Sequence, residues 1–203
     1  SEMCIRDSCN VDIKYQQTNT ELNANIFGFT GYANVTNCYS INTIKIKNLY
    51  RGIICGFEHA YNGSIKNCYA ITNIDVEINN TTNDVYINGF VHYNNNVINC
   101  YVNPNINYKI TNITGTIIIG NFSGYTSTQT NNYVIDNSIT NKGIFEPSDI
   151  YYGSSYYILL NVYQFRNGSV CNNLNLNKNI DPGFYQTLYS DTYPVLDLSL
   201  IHI

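Results

Sequence analysis

The sequence predicts an all-β protein: a parallel β-helix (β-solenoid) of about four to five coils with a C-terminal capping segment. Three observations predict it. The tripeptide Asn37-Cys38-Tyr39 returns as Asn67-Cys68-Tyr69, as Asn99-Cys100-Tyr101 and, in decayed form, as Asn131-Asn132-Tyr133. The cysteine position advances by 30, 32 and 32 residues, and a fixed period of that size marks a repeat architecture. A glycine behind apolar residues precedes each copy, in Ile26-Phe27-Gly28, Ile54-Cys55-Gly56, Ile87-Asn88-Gly89 and Ile118-Ile119-Gly120. Finally, residues 9–149 show no sustained helical period, while Ile74, Val76 and Ile78 alternate with Asp75, Glu77 and Asn79 as a half-wet strand does.

The ends come first in chain order. Residues 1–8, SEMCIRDS, and 198–203, LSLIHI, resemble translated adaptor sequence and are set aside as a non-native leader and tail. Cys4 and His202 go with them. The chain then reads as a fragment, so neither a signal peptide nor an anchor is expected to be visible. No apolar run approaches the roughly 20 residues that span a bilayer.

Residues 9–149 hold the repeats. Val35 to Ile41 and Ile65 to Ile71 carry β-branched and aromatic residues, bounded by turn formers such as Asn62-Gly63 and Asn79-Asn80. A unit this short cannot close a core alone, whereas stacked units can, with equivalent positions about 4.8 Å apart. Stacking predicts three columns: Tyr39, Tyr69, Tyr101 and Tyr133 as rings; Asn37, Asn67, Asn99 and Asn131 as an amide ladder; Cys38, Cys68 and Cys100 as thiols or disulfides. Buried thiols are the favoured state of the cysteines.

Residues 150–197 depart from the repeat and read as the closing segment. Tyr156 to Tyr163 reads as one or two strands, Asp181-Pro182-Gly183 as a turn, and Pro182 to Leu188 as a short helix. The physical task assigned to this segment is to cover the open end of the solenoid.

Composition narrows the chemistry. The 203 residues carry a net charge of −4 and only 12% charged side chains, with no Trp. The densest basic group is Lys45, Lys47 and Arg51, so no nucleic-acid partner is expected. Seven Asn-x-Ser/Thr triplets, at Asn34, Asn62, Asn79, Asn80, Asn112, Asn121 and Asn167, are about what chance gives in so Asn-rich a chain. There is no His-Glu-x-x-His, phosphate loop, dinucleotide fingerprint or Gly-x-Ser-x-Gly. No catalytic residue and no cofactor is expected.

Two weak metal candidates stand out. Asp75 and Glu77 share a strand face with Asp84 in the following loop, which is a carboxylate pair, a calcium site or simply a wet strand face. His59 and His92 both lie three residues after a repeat glycine, with Glu58 beside the first. Stacking would make them neighbours, as a surface metal site, a glycan contact or two exposed turn residues.

The repeat as it stands in Ile65-Lys66-Asn67-Cys68-Tyr69-Ala70, with Ile54-Cys55-Gly56-Phe57 and Ile87-Asn88-Gly89-Phe90 before it, resembles the GLUG-type repeats of bacterial surface proteins. Asp191-Thr192-Tyr193-Pro194-Val195-Leu196 is similar to the Tyr-Pro-x-Leu segment that closes such blocks. The resemblance implies a secreted or surface-displayed, adhesin-like scaffold that is extracellular or at the cell surface and presents a binding surface to glycans or surface proteins. The alternatives are a carbohydrate-active β-helix (a polysaccharide lyase, a hydrolase or a tailspike) and a virion surface fibre. Exposed tyrosine and asparagine columns would be the contact surface.

Overall fold

The computed structural model describes residues 8–16, 18, 23–31, 33–58, 63–79, 83–94, 96–111, 114–126, 129–136, 140–141, 150–152, 157–176 and 183–196. Strand β1 (Ser8–Gln16) opens the chain. The first coil is β2 (Ala24–Phe27), β3 (Val35–Thr36) and β4 (Tyr39–Leu49), and the second is β5 (Gly52–Cys55), β6 (Ser64–Lys66) and β7 (Tyr69–Asn79). The third is β8 (Val85–Asn88), β9 (Val91–Asn94), β10 (Asn96–Ile98) and β11 (Tyr101–Thr111). A less regular fourth holds β12 (Ile117–Gly120), β13 (Ser123–Thr126), β14 (Gln129–Thr130), β15 (Tyr133–Ile135) and β16 (Thr140–Asn141). Then follow β17 (Ile150–Tyr152), β18 (Ile158–Leu160), α1 (Val162–Arg166), α2 (Ser169–Leu176), β19 (Phe184–Tyr185) and β20 (Val195–Leu196).

Equivalent strands of successive coils pair in parallel, so the fold is a β-solenoid with three main faces and a short fourth ladder between β9 and β13. The long face runs β1-β4-β7-β11-β15-β18, the second β2-β5-β8-β12-β17, and the third β3-β6-β10-β14. Along the long face Tyr39 pairs with Tyr69, and Tyr69 with Tyr101, in register. Ile44 and Ile46 point in while Lys45 and Lys47 point out. Their inward row meets Ile26, Ile54, Ile87 and Ile119 of the second face in one apolar cluster.

Each landmark in the sequence has a physical cause. Asn37, Asn67, Asn99 and Asn131 all sit at φ between 51 and 59°, the left-handed corner between third and long faces, which Asn tolerates better than most residues. Their side chains form the expected ladder: Asn67 Nδ2 donates to Asn37 Oδ1 at 3.1 Å and Asn99 Nδ2 to Asn67 Oδ1 at 2.7 Å. The next residue points inward. Cys38, Cys68 and Cys100 are thiols without exposure. Cys68 Sγ donates to the Lys66 carbonyl at 3.0 Å and accepts the Cys38 N–H at 3.4 Å. In the fourth coil Asn132 keeps the first contact, accepting the Cys100 N–H at 2.9 Å, but donates to the Val97 carbonyl of the coil before at 2.9 Å instead of to a carbonyl of its own coil. The decayed motif therefore keeps the hydrogen bond that ties it to the coil before.

The glycine is required by closeness. A Cβ on Gly56 would lie 2.0 Å from the Gly89 carbonyl oxygen, and one on Gly28 2.2 Å from that of Gly56. That carbonyl faces inward and accepts from Asn42 Nδ2 at 2.6 Å, as the Gly89 carbonyl accepts from Thr72 Oγ1 at 3.2 Å. The fourth copy is displaced by one residue from the sequence reading. Asn88 pairs with Gly120, so Asn121 stands where Gly89 stands in the third coil. The phenylalanine after it completes an inner stack, with Phe29–Phe57, Phe57–Phe90 and Phe90–Phe122 centroids 4.8, 4.8 and 4.9 Å apart.

Pro104 marks where the regular coils fail. N–H groups alternate in direction along a parallel strand, and the Tyr101 N–H donates back to the Cys68 carbonyl. The donor that Pro104 lacks would thus have faced the fourth coil. Among the described residues the β11–β15 ladder runs to Val102 and Val134, and β11 pairs again at Asn107 with β16.

Beyond the coils the structure departs from the expected strands. β18 extends the long face, but Asn161 then caps a helix: its Oδ1 accepts the Gln164 N–H at 3.0 Å, and Gln164 Oε1 accepts the Asn161 N–H at 3.1 Å. This reciprocal capping box starts α1 where a strand was expected. No helix forms at Phe184–Tyr185, which pairs antiparallel with Val195–Leu196. The helices and this hairpin lie on the flank of the solenoid, over the tyrosine column. Tyr69, Tyr101 and Tyr133 pack there with Phe165, Leu174, Phe184 and Leu196. Among the described residues no helix is long and apolar enough to cross a membrane.

Candidate functional site

The second face carries the concavity of interest. Its strands place Asn25, Ile53 and Tyr86 side by side in register. All three point outward, because Ala24, Ile26, Ile54, Val85 and Ile87 fill the core on the other side. One residue before the paired triplet Ala24, Gly52 and Val85 come Asn23, Arg51 and Asp84. The two rows, with Asn83, line a shallow cavity of about 400 Å³ that crosses three coils. Gly52 lies between the rows with no side chain, and a Cβ there would meet the Ala24 carbonyl at 2.1 Å. Asp84 Oδ1 accepts the Thr116 N–H at 3.2 Å and Oδ2 accepts weakly from the Tyr86 hydroxyl at 3.5 Å.

Behind Tyr86 lies a buried polar cluster. The His92 ring is tilted 58° against the Tyr86 ring, with centroids 4.5 Å apart. Nδ1 of His92 is 3.2 Å from Asn88 Nδ2, so Nδ1 accepts and the ring proton sits on Nε2. Asn88 Nδ2 also reaches Cys55 Sγ at 3.9 Å, and the His92 N–H donates to the Glu58 carbonyl at 3.2 Å. Glu58 is fully buried, with Oε1 accepting the Ala33 N–H at 2.9 Å. Among the described residues Oε2 of Glu58 and Oδ1 of Asn88 have no hydrogen-bond partner. Burial pushes the Glu58 carboxyl up to about 7, opposed by the Ala33 hydrogen bond, and pushes the Cys55 thiol up as well.

His92 is therefore not the exposed turn residue of the plainer sequence reading. It lies in β9 at 5% exposure, supporting Tyr86 from within. His59 lies outside the described residues. Among the described residues no three His, Cys, Asp or Glu side chains come together as a metal site.

The acidic candidates separate. Asp75 and Glu77 project from the long face, where Asp75 pairs with Lys45 of the coil before and Glu77 with Lys109 of the coil after. Each carboxylate thus stands beside a lysine in the stack. Asp84 belongs to the second face and lines the cavity.

The columns expected as contact surfaces are covered. Tyr69, Tyr101 and Tyr133 are 3, 0 and 2% exposed, and the Tyr101 hydroxyl donates to the Pro194 carbonyl. Burial raises the Tyr101 hydroxyl well above its ordinary value. The asparagine ladder at Asn37, Asn67 and Asn99 is buried too.

Asn23, Asn25, Arg51, Ile53 and Tyr86 escape sequence reasoning. Val85-Tyr86-Ile87 is apolar throughout, so alternation cannot say which residue faces out. The one available signal is their offset from the repeat glycines, which places Asn25, Ile53 and Tyr86 three residues before Gly28, Gly56 and Gly89. Comparison with family models, with curated proteins and with solved structures finds no match for this chain.

Proposed function

We propose that this chain is a non-enzymatic, adhesin-like repeat scaffold, displayed outside the cell, that binds carbohydrate in the groove of its second face. The observation that carries this is the row pair Asn23–Arg51–Asp84 and Asn25–Ile53–Tyr86, which sets amides, a guanidinium, a carboxylate and an aromatic ring around one shallow cavity. Polyhydroxylated ligands use such sites, with hydroxyls on polar groups and the C–H faces of sugars on an aromatic ring. Glycoside hydrolysis by the usual route needs two carboxylates across the scissile bond, and the groove lining has one, Asp84. Buried thiols such as Cys55 and Cys68, whose titration burial pushes up, react slowly, so they are compatible with an extracellular setting.

The test is a glycan array probed with the whole chain and with Tyr86→Ala, beside incubation with polyuronates and neutral polysaccharides. Expected are glycan binding that depends on Tyr86, no unsaturated products and no new reducing ends. Turnover would favour the carbohydrate-active alternative, and protein capture through the groove without any glycan signal would overturn the carbohydrate reading.

A further inference from the structure

Resting on that proposed function, we infer that the ligand is a neutral, linear oligosaccharide lying along the solenoid axis with one sugar residue per coil. The lining repeats with the coils. Each of three successive coils contributes one residue to each row: Asn23 and Asn25, then Arg51 and Ile53, then Asp84 and Tyr86. Parallel in-register strands space these pairs about 4.8 Å apart, close to the length of one pyranose unit in an extended chain. A ligand running across the coils would keep this match, whereas one running along a strand would meet the four residues of β5 and leave the groove.

Charge selects the class. Arg51 and Asp84 occupy the same row in neighbouring coils, so the formal charges of the lining cancel. An acidic polymer would gain Arg51 and meet Asp84, and a cationic one the reverse. The floor is graded along the axis, from the Asn25 amide through aliphatic Ile53 to the Tyr86 ring. Only the third coil offers an aromatic platform among these three positions, and it is held in place by His92 from behind and Asn88 beyond. Pre-organisation of this kind reduces the entropy lost on binding.

The experiment is calorimetric titration of the whole chain with neutral β-1,4-glucan, mannan and xylan oligosaccharides from the disaccharide to the hexasaccharide, with oligogalacturonate as the acidic probe. The inference expects at least one neutral series to gain about tenfold in affinity from disaccharide to trisaccharide and then to level off, as a three-coil groove fills. Tyr86→Ala should weaken binding by about tenfold or more, while Tyr86→Phe, which keeps the ring, should bind nearly as the parent chain does. Tyr163→Ala, on the far C-terminal segment, should change nothing.

A site that prefers oligogalacturonate, with affinity falling steeply in salt, would overturn neutrality and leave the carbohydrate reading standing. Tyr86-dependent binding that does not grow with length would overturn the axial placement alone. If none of these oligosaccharides binds while the array shows a Tyr86-dependent branched or acidic glycan, the inference fails and the function survives. Silence in both assays overturns both.

Discussion

Asn99 donates its side-chain amide to Asn67 Oδ1 at 2.7 Å, and both residues hold left-handed backbone, at φ 59° and 51°. One residue type thereby turns the chain at the corner of each coil and ties that corner to the coil before. Replacing Asn99 separates the two tasks. Asn99→Gly keeps the turn and loses the hydrogen bonds to Asn67 and Asn131, while Asn99→Ala loses both. Chemical denaturation should show Ala costing more than Gly, by about 1–2 kcal/mol for the left-handed conformation. Equal losses would mean that the backbone there is not strained.

Four of the five buried cysteines among the described residues, Cys38, Cys55, Cys68 and Cys100, lie in the coils without exposure. Alkylation followed by peptide mass mapping should leave them unmodified in the native chain. All four should be modified in denaturant without reductant. Failure to label in denaturant would reveal disulfides, and ready native labelling would reveal an open column.

Glu58 ties stability to pH. Its folded value of about 7 lies above the ordinary 4.5, so between those pH values the native chain holds a proton that the unfolded chain has lost. Stability is therefore greatest below pH 4.5 from this group and falls as pH rises towards 7. Glu58→Gln should remove that slope and be the more stable chain at pH 8, by up to about 3 kcal/mol. Parallel pH–stability curves for the two chains would show that the carboxyl ionises normally.

Docking of the C-terminal segment hangs on Phe165, fully buried and edge-on to Tyr101 with centroids 5.7 Å apart. Phe165→Ala should cost about 3–5 kcal/mol. It should also expose the segment to limited proteolysis ahead of the coils. Proteolysis that attacks the coils first would mean that the segment does not protect the tyrosine column.

Much of this structure was legible beforehand because its determinants are local and repeated. The Asn-Cys-Tyr period and the glycines gave the coils, since a position that recurs each coil meets its own copies and must suit them. The same logic gave the asparagine ladder and the thiol column. Asn161-Val162-Tyr163-Gln164 holds a helix-start signal too, outweighed in the sequence by the aromatic and β-branched residues around it, which favour strand.

The groove was not legible, nor was the fate of the tyrosines. Asn25, Ile53 and Tyr86 share no residue type, so nothing in their identities announces that stacking unites them. The tyrosines do share one, and periodicity still could not say whether water or Phe165 lies against them. The sequence by itself determined the coil, its corners and its inward columns, because each rests on contacts between copies of one motif. Only the tertiary structure decided which outward face remains open, because that depends on where the non-repeating segment after the coils comes to rest.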